Sequence, residues 1–162
     1  MTQNRHDRLI RLFELVARED QHLLAVRERF LGTKKALKPQ EVEKLISSDL
    51  GIDRLESFGA KFGRMQDTIV DKLMPALLSA AGEPVLAAID NLGRLERLGL
   101  IEDGDKWLQM RQLRNRLVHE YIDNLEHLTT ALERASQFTD HMHDDFDAMR
   151  QYAIKHLHLQ LP

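Results

Sequence analysis

Toward its carboxyl end the chain carries Leu125, Leu128, Leu132, Ala135, Phe138, Met142, Phe146, Met149 and Ala153 at steps of three and four. That near-heptad spacing lays one apolar seam along a helix, whereas a strand needs apolar residues at every second position to make a face. Asp123 and Glu126 stand like a capping box at its start. Two more stripes answer this one. Leu9, Leu12, Phe13 and Val16, then Leu23, Val26 and Phe30, predict a long first helix that Gly32 ends. Leu55, Phe58, Phe62, Met65, Ile69 and Leu73 predict another, in which Gly59 and Gly63 would let a second backbone come close and which Pro75 should kink or end.

Shorter helices fill the intervals. Pro39 suits the first position of a helix through Ile46, since its missing N–H would have no intrahelical partner there. Another is expected from Pro84, carrying Leu86, Ile89 and Leu92 to a stop at Gly99. The next runs from about Asp103–Asp105 to His119. Leu occurs 27 times against 8 Ile and 6 Val, an excess of a helix former over β-branched residues, and no stretch alternates long enough for a strand. The reading is an all-α antiparallel, up-down bundle of four main helices plus short ones, a single domain over residues 1–162 without repeats or linkers.

Composition then bounds the chemistry. With 43% hydrophobic residues in 162, the chain has material for a sizeable core. Its net charge of −3 supplies no overall field to attract a polyanion, so any nucleic-acid contact must be a local patch. The absence of cysteine excludes disulfides, thiol nucleophiles and thiolate zinc sites, and fits a reducing cytoplasm. Charges interrupt the amino-terminal apolar run, which excludes a signal-peptide core. No stretch approaches the ~20 apolar residues that span a bilayer, so no membrane association is expected. Neither a glycine-rich phosphate loop nor a Gly-x-Ser-x-Gly elbow is present.

The segment WLQMRQLRNRLVHEY, Trp107–Tyr121, breaks the pattern of an ordinary amphipathic helix, because polar residues crowd a surface that should be half-buried. Arg111, Asn115 and His119 are four apart and stack along one side. Arg114 lies ~140° round the helix from His119, too far for the two side chains to meet within one regular helix. Either the helix unwinds at its end, or Arg114 meets His119 of a second protomer across a two-fold axis, making a composite site.

Arg114, four residues, His119, one residue and Tyr121 resemble the signature of the HEPN-domain family. The context GLIEDGDKWLQMRQLRNRLVHEY is similar to the corresponding segment of HepT-like toxins and of related nucleotidyltransferase substrate-binding proteins. The resemblance spans roughly Gly99–Tyr121. It implies a helical homodimer that cleaves RNA without metal or cofactor, with His119 as the acid/base group and Arg114 as the phosphate binder. Both roles suit the chemistry, since imidazole titrates near neutrality and guanidinium offers a permanently charged fork to phosphate oxygens. Asn115 would orient side chains or hold a phosphate oxygen, with Arg111 beside it. Tyr121 matches the residue that accepts AMP from a minimal nucleotidyltransferase antitoxin. The alternative within the resemblance is a non-catalytic nucleotide- or substrate-binding subunit of a nucleotidyltransferase.

The same residues also have ordinary structural uses. Arg114 can pair with an acidic neighbour, His119 can sit at the carbonyl end of the helix dipole, and Tyr121 can bridge helices. Trp107 and Met110 read as core. In HMHDDFD, His141 with Asp145 and His143 with Asp147 bring only two ligands together each, so the stretch reads as a solvated acidic face with no metal. Lys34, Lys35, Lys38, Arg5, Arg8 and Arg11 read as surface cations able at most to steer RNA.

Overall fold

The computed structural model describes residues 2–34, 36–119 and 124–162, and for Thr2, Val118 and His119 the backbone alone. The chain is all-helical over these residues. In order come α1 (Thr2–Leu31), α2 (Pro39–Leu45), α3 (Asp49–Thr68), a π-helical turn (Ile69–Leu73), α4 (Met74–Ala80), α5 (Ala88–Arg97), α6 (Gly104–His119) and α7 (Leu125–His156). No described helix is long and apolar enough to cross a membrane.

The stripes read from the sequence are the faces that pack. Leu9, Phe13, Val16, Leu23 and Val26 of α1 are buried, as are Leu55, Phe58, Phe62 and Met65 of α3 and the α7 seam from Leu128 to Ala153. Neighbours run antiparallel. Down the α1–α3 contact Arg54 Nη1 donates to the Arg29 carbonyl and Thr68 Oγ1 to Glu19, so one residue number rises as the other falls. Between α1 and α7, Arg27 meets Asp140, Asp20 meets His143 and the rings of Phe13 and Phe146 lie 5.9 Å apart. α6 is laid between α3 and α7: Gln66 Nε2 of α3 donates to the Trp107 carbonyl, while Trp107 Nε1 donates to Asp145 of α7 at 2.8 Å.

Three local expectations are corrected. Pro75 neither ends nor breaks the helix. The preceding residues widen into a π turn in which the Met74 N–H bonds the Ile69 carbonyl, five residues back, so the ladder is already out of α register where proline lacks its donor. The helix expected from Pro84 begins at Ala88. Buried Asn91 holds the segment before it extended, accepting from the Leu86 N–H at 2.9 Å and donating to the Leu86 carbonyl at 3.0 Å. Leu86 and Ile89 are therefore exposed, and only Leu92 of that trio is core. Finally, α7 is capped by Asn124, whose side chain accepts from the His127 N–H; Asp123 lies outside the described residues. Gly99 does close α5, at φ 74°, and allows the Leu100 N–H to reach back to the Leu95 carbonyl.

Candidate functional site

Helix α6 carries the polar segment, and its start is firmly fixed. Asp103 Oδ1 accepts from the Asp105 N–H, and Trp107 and Met110 are buried as expected. Asp145, read as part of a solvated face, is in fact buried: Oδ2 takes the indole N–H and Oδ1 the Glu102 N–H at 3.2 Å. Desolvation pushes its carboxyl above the ordinary range, against the lowering effect of those two donors. From this anchor α6 runs without interruption to His119.

Arg114 projects from α6 into an open groove of about 490 Å3 along α3, lined by Gly63, Arg64, Asp67, Thr68 and Lys72 among others. Its Nη1 donates to Asp67 Oδ1 at 2.6 Å, with the arginine side chain 37% and the aspartate 35% exposed. One turn earlier on α6, Arg111 Nη2 meets Asp71 Oδ1 at 3.1 Å, Asp71 lying in the π turn. A guanidinium has five N–H donors, so each pair leaves donors for another oxyanion. Asn115 is exposed and has no bonded partner among the described residues.

Gly63 makes room for this arrangement. A Cβ on it would stand 2.8 Å from Arg114 Nε and 3.1 Å from Cδ, whereas Gly59 has nothing within 4 Å. Gly63 therefore admits an arginine side chain rather than a second backbone, and Gly59 faces open space. Gly63→Ala should favour the helix by about 0.5–1 kcal/mol while driving Arg114 off Asp67, a half-exposed pair worth about 0–1 kcal/mol. The melting temperature should stay within a few degrees of the parent while any Arg114-dependent activity falls, which thermal unfolding and an RNA-cleavage assay measure side by side.

Two acidic residues escaped the sequence reading. Glu19 and Asp20 stand between Val16 and Leu23, where the α1 stripe should continue, and that interruption was the available signal. Asp20 is buried and bonds His143 Nδ1 at 2.8 Å. Glu19 accepts from Thr68 on the groove floor, leaving Oε1 without a partner among the described residues. Burial raises both carboxyls above their ordinary range, opposed by Thr68 and Arg64 at Glu19 and by His143 at Asp20. His143 is thus engaged with α1 rather than with Asp147, and no cluster of three metal-ligating side chains occurs among the described residues.

Of the residues singled out in the sequence, Arg114 meets Asp67 of α3, Arg111 meets Asp71 of the π turn that follows it, and Asn115 is exposed. The His119 side chain and Tyr121 lie outside the described residues. Comparisons with family models, curated proteins and solved structures gave no match to the chain.

Proposed function

We propose that the chain is a metal-independent ribonuclease toxin of the HEPN type, acting as a homodimer and neutralised by a minimal nucleotidyltransferase. The observation that carries the reading is that α6 stays helical through His119. On a helix regular to that point Arg114 and His119 stand ~140° apart, which supports a pair completed by a second copy across a two-fold axis. In such a cleft one His119 takes the proton of the ribose 2′-OH as its oxygen attacks phosphorus. The P–O5′ bond breaks, and the imidazolium so formed returns that proton to the departing oxygen, so each site needs one Arg114 and one His119. Arg114, partly exposed in its groove, stabilises the charge that builds on the phosphoryl oxygens.

Purified, unmodified protein should cut RNA in the presence of EDTA. Intact RNA under all conditions, or cleavage that needs added divalent metal, overturns the reading. Control is assigned to Tyr121, two residues past His119: an AMP added there brings negative charge and bulk beside the motif. Tyr121→Phe should keep cleaving yet escape neutralisation by the partner and ATP; mass spectrometry locating the adduct on another residue contradicts this.

The alternative is a non-catalytic nucleotide- or substrate-binding subunit, in which Arg114 and Arg111, paired to Asp67 and Asp71, would hold a ligand and cut nothing. Expression without the partner separates the two readings, because only a nuclease arrests growth.

A further inference from the structure

A second cavity, of about 370 Å3, opens between α6 and α7, on a different side of α6 from Arg111 and Arg114. Leu113 and Arg116, three apart on α6, face His127, Ala131 and Arg134, spaced by four and three on α7, so one stripe of each helix forms the walls. Among the described residues no Asp or Glu lines it. The contrast with the α3 side is chemical: Arg111 and Arg114 are each matched by an aspartate, while Arg116 and Arg134 have no carboxylate partner among the described residues. Arg134 is nonetheless held in place. Its Nη2 donates to the neutral Gln109 Oε1 at 3.1 Å, and its guanidinium lies 5.5 Å from the centre of the Phe138 ring, which fixes the fork without cancelling its charge.

Two guanidiniums without a carboxylate among the described residues, and an imidazole, converge from two helices and call for an anion with several acceptor oxygens, which a phosphate group supplies. The remaining wall is Leu113, Leu128 and Ala131 with Thr130, whose hydroxyl is already given to the Glu126 carbonyl, and it suits a flat, weakly polar body attached to that phosphate. The volume falls within the ~300–1,000 Å3 of small-molecule sites. We infer that the cavity between α6 and α7 is a nucleotide-binding site, taking a nucleoside phosphate with its phosphate on Arg116 and Arg134 and its base against Leu113 and Ala131. The site is separate from the Arg114 groove and does not depend on the chain being a nuclease. The same chemistry arises from a free mononucleotide or from one unit of an RNA strand.

Calorimetric titration of the Arg114→Ala chain, in which a substrate RNA stays uncut, with AMP, adenosine and a short single-stranded oligoribonucleotide tests this. AMP is expected to bind at least tenfold more tightly than adenosine, and more weakly as salt is raised. Arg116→Gln and Arg134→Gln should each weaken AMP about tenfold or more. Ala131→Phe, which fills the cavity and leaves every charge in place, should abolish binding, with thermal unfolding verifying that each variant is folded. Binding of the oligoribonucleotide but not AMP, lost in the same variants, supports the site and identifies a strand as the source. Absence of binding by both, or parental affinity in folded Arg116→Gln and Arg134→Gln, overturns it.

Discussion

His119→Ala is expected to slow RNA cleavage by about 10²–10⁴-fold, the range that a positioned general acid or base contributes. Arg114→Ala should lose about 10²–10³-fold, as when one donor to a developing oxyanion is removed. The Arg114 loss should not come from unfolding. The Arg114 pair with Asp67 is more than a third exposed on both sides, and such pairs add about 0–1 kcal/mol to stability. With Arg114 gone, Asp67 keeps access to water, so no buried charge is stranded. Cleavage rates measured beside melting temperatures distinguish this from a structural role: a variant that loses activity only as its melting point collapses would mark the residue as scaffold.

The second large effect is on the fold. Trp107→Ala should cost about 3–5 kcal/mol, since the indole is 1% exposed where α6 meets α7. The cost should depend on pH. Burial already raises the Asp145 carboxyl, and the indole N–H is the largest influence lowering it. A carboxyl whose folded pKa lies above its unfolded value contributes stability below the unfolded pKa and loses it as pH rises through the folded one. Removing the indole raises the folded pKa further. The charged form at neutral pH then suffers more than the protonated form in acid, so the penalty measured by urea denaturation should be smaller at acid pH than at pH 7. An equal penalty at both would mean that Asp145 does not depend on this hydrogen bond.

Periodicity made the frame legible because each stripe reports a buried face within one helix. The Leu9–Phe30, Leu55–Leu73 and Leu125–Ala153 residues are those that pack, and Gly32, Pro39 and Gly99 mark real boundaries. What stayed hidden depends on partners distant in sequence or on a change of helical register. The π turn before Pro75 cannot be read from a 3.6-residue pattern. Asn91 delays α5 by bonding residues outside it, and Asp145 is buried because Trp107 arrives from α6. Of the candidate site, the helix was legible. The sequence separates Arg114 from His119 by angle and places both on one helix, which α6 bears out. That Gly63 clears a path for Arg114 and that Asp67 receives it follow only from how α3 lies against α6. Glu19 and Asp20 were visible as gaps in a stripe, but Thr68 and His143, their partners, were not.

The composite site is tested most directly by mixing two dead proteins. If Arg114 of one protomer acts with His119 of its partner, a heterodimer of Arg114→Ala and His119→Ala chains has one site with both substitutions and one with neither. Unfolding and refolding an equimolar mixture should then restore on the order of a quarter of parental RNA cleavage, since half the dimers are mixed and each keeps one of two sites. A mixture shown to exchange subunits but as inactive as either variant alone would contradict the account.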